Sequence, residues 1–192
     1  MQATKFILDP GWRVLLSDLG INSKEVLKRA GLPGDLLVHK EPALDARDYF
    51  RLWNAVVETV NDPTLPLKLG QSISVEAFHP AFFAGLCSPN FNIAMERISK
   101  FKRLVGPLVY NISRNVDLTT IEVDCLNIEN PLPESLIAFE LVFIVHFGRL
   151  GTRREIKPIA VISSKDLPNP DAFSDYFSIS ATKGESNRVT FS

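Results

Sequence analysis

Charge of either sign is almost perfectly cancelled in this chain. Its 192 residues carry 21 basic and 22 acidic side chains, a formal charge of -1. A strongly basic surface is excluded overall, and with it a chain that is by itself a nucleic-acid-binding module. Cysteine is nearly absent: Cys87 and Cys125 permit one disulfide at most. The short, mixed opening Met1–Asp9 does not read as a secretory leader, so the expectation is two reduced, buried thiols in a cytoplasmic protein. Histidine is limited to His39, His79 and His146. These are too isolated to draw a short-range ligand cluster with the cysteines, and no metal is expected. The sequence lacks a Gly-rich phosphate loop, a Gly-x-Ser-x-Gly elbow and a His-Glu-x-x-His pair, so it offers neither a cofactor nor a catalytic motif. No run reaches the ~18–20 apolar residues of a membrane helix, and no membrane partner is expected. The most apolar stretch, Leu136–Phe147, is interrupted by Glu140 and His146 and reads as a buried helix.

Phenylalanine, in contrast, is abundant: 13 copies against 2 Trp and 3 Tyr. Such a chain builds a large aromatic core or lines an apolar cavity. The length suits one domain with a real core.

Helical punctuation dominates the first half. Gly11 precedes, and Gly20 closes, a segment over Trp12–Leu19. Asn22 or Ser23 caps a second helix ending at Ala30, with Gly31 beyond it. Asp45 caps the clearest helix, in which Ala46, Tyr49, Phe50, Trp53, Val56, Val57 and Val60 form one stripe, and Asn61-Asp62-Pro63 ends it. A short helical segment reaches Gly70, with Pro66 tolerable only in its first turn or outside a regular helix. Ser74–Cys87 reads as a turn entering a short helix. After Ser88-Pro-Asn90, a helix over Phe91–Val105 carries a stripe of Phe91, Ala94, Met95, Ile98, Phe101 and Val105, and Gly106-Pro107 stops it. Leu108–Ser113 and Leu118–Cys125 then read as a hairpin, with Ile121 and Val123 on its packed face. A long helix runs from Glu134 to Arg149, ended by Gly151. A strand over Glu155–Ser163, a short helix carrying Phe173, Tyr176 and Phe177, and a last strand Asn187–Phe191 complete the chain. This order predicts an α+β fold, helices packed on a small, largely antiparallel or mixed sheet.

Few residues promise chemistry. His79 and Cys87 are the one nearby His/Cys pair, the basis of a small thiol-enzyme alternative, but their Phe-rich setting favours a cavity-wall cysteine and a turn histidine. Glu140 shares a helical face with Leu136, Phe143, Ile144 and Phe147. A carboxylate there needs water, a cation or several donors, so that face either meets a subunit contact or borders a pocket; satisfaction by an arginine or by backbone is the first reading and ligand recognition the second. Arg97, Lys100, Lys102, Arg103 and Arg114 form one basic set, and Arg149, Arg153, Arg154 and Lys157 another. Both read first as solvated faces, and otherwise as contacts to an anionic effector or to the acidic face of a partner.

Four stretches, taken in order, carry a family likeness: Val26-Leu-Lys-Arg-Ala-Gly-Leu32, Asp62-Pro-Thr-Leu-Pro-Leu-Lys-Leu-Gly70, Ser88-Pro-Asn-Phe-Asn-Ile-Ala-Met-Glu-Arg-Ile98 and Asn187-Arg-Val-Thr-Phe191. Through them the chain resembles, from about Ile21 to Phe191, the amino-terminal arabinose-binding-like domain of AraC-family transcription regulators. The resemblance implies a non-enzymatic sensor and dimerisation domain spanning residues 1–192, with a small-molecule effector and a second copy of itself as partners. It also implies that DNA is met only through a carboxyl-terminal helix-turn-helix domain missing from this chain. The abundance of Phe leans toward an apolar or amphipathic effector. The expected pocket residues are Phe50, Trp53, Tyr110, Glu140 and Phe143. A ligand-free structural interaction domain is the alternative, and the apolar helix around Leu136–Phe147 is the element that would support a dimer.

Overall fold

The computed structural model describes residues 3–8, 11–39, 42–72, 80–126 and 131–192. In chain order it contains β1 (Phe6–Ile7), α1 (Gly11–Asp18), α2 (Ser23–Ala30), β2 (Ala43–Leu44), α3 (Ala46–Val60), α4 (Leu65–Gln71), α5 (Pro80–Leu86), α6 (Phe91–Val105), β3 (Leu108–Arg114), β4 (Thr119–Cys125), α7 (Glu134–Thr152), β5 (Ala160–Ser163), α8 (Pro170–Phe177), β6 (Thr182–Lys183) and β7 (Asn187–Phe191). The fold is α+β, with helices against a small mixed sheet. Among the described residues the main sheet has the order β3-β4-β7-β5-β6. It is antiparallel except where β6 runs parallel to β5. A two-residue ladder joins β1 to β2.

The helix starts follow their side chains. Asn22 Oδ1 accepts from the Lys24 amide at the head of α2, Asp45 Oδ1 from Asp48 at α3 and Asn90 Oδ1 from Ile93 at α6. Each satisfies one of the amides that a helix start leaves without a partner. Gly31, at φ +65°, closes α2 in the left-handed conformation that glycine adopts without strain. Pro66 falls in the first turn of α4, where its missing N–H costs nothing.

α7 is the axis of the fold. Leu136, Leu141, Val142, Ile144 and Val145 are at most 1 % exposed. α7 packs on α3, α4, α5 and α6 and, across them, on β4, β5 and β7. By length and composition it would pass for a membrane span, yet apolar burial here is internal to the fold. That placement removes α7 as a dimer surface, because the residues that would have met a second copy are consumed by the protein's own core. The helix also runs through Gly151 to Thr152. Arg153, at φ 51°, makes the left-handed stop that was expected of the glycine.

The strand expected over Glu155–Ser163 forms only over Ala160–Ser163, Pro158 offering no N–H to a ladder. The first two helices belong to the core: Leu16, Val26, Leu27 and Ala30 are all buried.

Candidate functional site

On α6, Met95, Ile98, Lys102 and Val105 recur at spacings of three and four, so a lysine occupies an inward-facing place. The Lys102 ammonium reaches Glu140 on α7, its Nζ 2.7 Å from Oε1 and 2.6 Å from Oε2. The phenol of Tyr110, on β3, donates to the same carboxylate. Glu140 is 3 % exposed, and the Lys102 side chain 13 %. The ammonium also lies 4.8 Å from the Tyr110 ring centre and 5.0 Å from that of Phe143, within cation–π range. Burial first, and then the Glu140 charge and hydrogen bond, hold the Tyr110 phenol well above its ordinary value of 10.0, so it remains a donor.

Beside this triad opens a cavity of about 320 Å3, whose wall includes Phe6, Ile7, Trp12, Tyr49, Phe82, Phe101, Lys102, Val105, Phe139, Glu140 and Phe143. Its rings are themselves packed. Phe6 stacks on Tyr49 at 3.9 Å, Trp12 stands edge-on to Tyr49 at 5.9 Å, and Phe139 and Phe143 lie one helical turn apart on α7. A volume of this size, mostly aromatic with one convergent polar corner, is the kind of space that takes a small molecule.

The expected pocket residues fall into two groups. Glu140 and Phe143 line the cavity, and Tyr110 stands directly behind Glu140. Trp53 lies one layer back, its Nε1 donating to Ser135 Oγ at 2.7 Å and its ring 5.1 Å from Phe139. Phe50 is turned toward Phe6 and Tyr49 and borders a different surface groove with Arg47 and Arg51. Glu140 borders the cavity, and its charge is met by a lysine and a phenol rather than by an arginine or backbone donors. Phe139 shares the wall with Glu140 and Phe143, since the three span only about 100° of helix.

Sequence reasoning missed Lys102 as a partner, and the contributions of Phe6, Trp12, Tyr49 and Phe139. Lys102 had been grouped with a basic face that the fold divides. Arg97 bonds the Ala84 carbonyl at 2.8 Å, Arg114 pairs with Glu96, and Lys100 and Arg103 are exposed. In the second set, Arg149 turns inward to the carbonyls of Ile156 and Tyr176.

The thiols are free, but not both buried. Cys87, just past the end of α5, is exposed, and Cys125 is half-buried. His79 lies outside the described residues, as does the stretch from Ser74 to Phe78. Burial, and then the charges of Asp124 and Glu140, push the Cys125 thiol up to about 12, which leaves it protonated and unreactive at neutral pH. Among the described residues, no three His, Cys, Asp or Glu side chains gather as a metal site.

A family model described as the arabinose-binding domain of AraC transcription regulators, N-terminal, matches residues 20–192. The chain is also similar in fold to the crystal structure of the transcriptional regulator CdpR from Pseudomonas aeruginosa, with a TM-score of 0.59 at 16% sequence identity. That likeness covers 96% of this chain and 55% of the other, so the chain spans little more than half the length of that regulator. No curated protein sequence matches.

Proposed function

The chain belongs to the family of amino-terminal arabinose-binding domains of AraC transcription regulators, and from that premise we propose that its aromatic cavity senses a small apolar or amphipathic effector. The observation that carries the reading is the cavity itself: aromatic rings on most of its wall, and one polar corner made by Lys102 and Glu140. Sugar recognition calls for several hydroxyl-binding side chains on an aromatic platform, and this wall is mostly hydrocarbon. Glu140 and Phe143 touch the effector. Tyr110 acts through Glu140, and Trp53 through Phe139. Phe50 supports the Tyr49 ring from behind.

The reading is one of binding rather than turnover. Lys102 and Glu140 at the cavity are tied to one another, and the nearby Tyr110 and Cys125 hold their protons. The domain works in the cytoplasm as a homodimer and meets DNA through a helix-turn-helix domain. Phe83 on α5 and Leu104 on α6, both more than half exposed on helices that touch, offer apolar surface for a second copy. Light scattering across concentration tests the dimer, and a strict monomer at high micromolar concentration contradicts it.

A thermal-shift screen of sugars, amino acids and amphiphiles tests the sensor. Stabilisation by apolar or amphipathic compounds, altered in Glu140→Gln, is the expected outcome. Stabilisation by sugars alone sinks the reading of the effector class. Any hit whose affinity is unchanged in Glu140→Gln and in Trp53→Phe binds elsewhere.

A further inference from the structure

A buried ion pair contributes little net stability, and a well-packed apolar replacement often does as well or better. The Lys102–Glu140 pair therefore calls for a reason beyond folding, and it stands at the one polar corner of an aromatic cavity. Resting on the effector-sensing reading above, we infer that the cavity takes an uncharged ring compound carrying one oxygen acceptor, a hydroxyl or carbonyl, which bonds the remaining N–H of Lys102.

Each part of that description comes from the site. Both acceptors described for Lys102 are oxygens of Glu140, while an ammonium has three donors, so one N–H is left on a group that lines the cavity. The pair is neutral as a unit. An anionic ligand on that N–H would bring a second negative charge beside the buried Glu140 carboxylate, with the one ammonium shared between the two. A cationic ligand would be repelled by the Lys102 ammonium, which stands on the cavity wall 5.0 Å from the Phe143 ring. An uncharged oxygen disturbs neither. The rest of the ligand is set by the wall: stacked and edge-on rings favour a flat aromatic body. The space of about 320 Å3 lies at the small end of ligand sites and suits a one- or two-ring compound.

Four near-isosteric probes separate the possibilities: 2-phenylethanol, phenylacetate, 2-phenylethylammonium and ethylbenzene. Binding to the full chain is titrated at neutral pH by saturation-transfer NMR and by fluorescence of Trp12 in the cavity wall. The expected result is that 2-phenylethanol binds about tenfold or more tighter than each of the other three. Phenylacetate or the ammonium binding as tightly as the alcohol overturns the uncharged class. Ethylbenzene matching the alcohol overturns the role of the Lys102 donor. In Lys102→Met/Glu140→Gln, which removes both charges together, the preference for the alcohol over ethylbenzene is expected to vanish. A preference that persists in the folded double variant also overturns that role. Val105→Trp, which fills the cavity, is expected to abolish binding of all four. Undiminished binding in that variant, or no binding of any probe to the unaltered chain, removes the cavity as the sensing site and the effector reading with it.

Discussion

The buried carboxylate of α7, Glu140, is held by one ammonium and one phenol. With an exposure of 3 %, Glu140 cannot borrow solvation from water. Removing one charge of such a pair leaves the other buried without compensation, a loss of about 3–5 kcal/mol, whereas removing both can be nearly neutral. We therefore expect Glu140→Gln to lower unfolding stability in urea by about 3 kcal/mol. The paired variant Lys102→Met/Glu140→Gln should recover most of it, because Gln still accepts from Tyr110 and no stranded ammonium remains. Equal losses in the two variants would mean that Lys102 finds water in the single variant and that the pair is in effect a surface one. The half-buried Asp62 is held near pKa 2, below its ordinary 3.8, chiefly by Lys68 and Thr64. A depressed carboxylate contributes stability that is present above its unfolded value and lost as the pH falls through the folded one. The difference between the wild type and Asp62→Asn should thus be constant above about pH 4 and close as the pH drops toward 2. The effect is modest, since Lys68 is largely exposed.

Between elements, the closest constraint is where α4 meets α7. A β-carbon placed on Gly70 would lie 2.5 Å from Val142 Cγ1, 2.8 Å from Val142 Cβ and 3.3 Å from the Phe139 carbonyl. None of these is the free end of a flexible side chain, so the two helices would have to separate. Gly70→Ala is expected to destabilise the fold by about 1–3 kcal/mol even though alanine is the better helix former. Adding Val142→Ala should relieve the clash, which a double-mutant cycle in urea would register as favourable coupling. Sequence signals read the elements well where they were local. The Asn22 and Asp45 caps and the alternation that puts Ile121 and Val123 on one face of β4 are all dictated by neighbours within a few residues. What local pattern could not supply was partnership across the chain. Lys102 sits on the apolar stripe of α6 at the same spacing as Ile98 and Val105, and that position was the available sign that it turns inward. Its partner lies 38 residues away. Phe6 and Trp12 reach the cavity wall only because β1 pairs with β2 and α1 folds beside α3. Neither contact leaves a mark in the sequence around it. Phe50 and Trp53 were rightly placed on the inward stripe of α3, but which inward side chain borders empty space and which borders another ring depends on the packing of α1 and α7 over them.

At the scale of the whole fold, three groups among the described residues hold their protons because they are buried. Tyr110 stands well above its ordinary 10.0. Tyr176 is raised to about 12, burial outweighing the opposing pull of Arg149, and Cys125 is raised from 9.0 to about 12. For each, the folded chain keeps a proton that the unfolded chain gives up once the pH passes the ordinary value. The sign follows from linkage: where the unfolded state binds fewer protons, stability falls as pH rises. These groups therefore leave stability unchanged below about pH 9. It declines first as unfolded Cys125 ionises and then, above 10, as the two phenols add to the slope. Tyr110 alone accounts for about 1.4 kcal/mol per pH unit in that range. A spectrophotometric titration should accordingly show tyrosinate from Tyr110 and Tyr176 appearing together with the loss of helical circular dichroism, rather than before it. Tyr110→Phe isolates the central group. The variant begins less stable at neutral pH, because Glu140 has lost a donor, but its stability should fall less steeply between pH 10 and 11. If the variant and the wild type lose stability in parallel over that interval, Tyr110 ionises inside the folded protein. Its phenol is then reached by water, and the polar corner of the cavity is open rather than sealed behind Glu140.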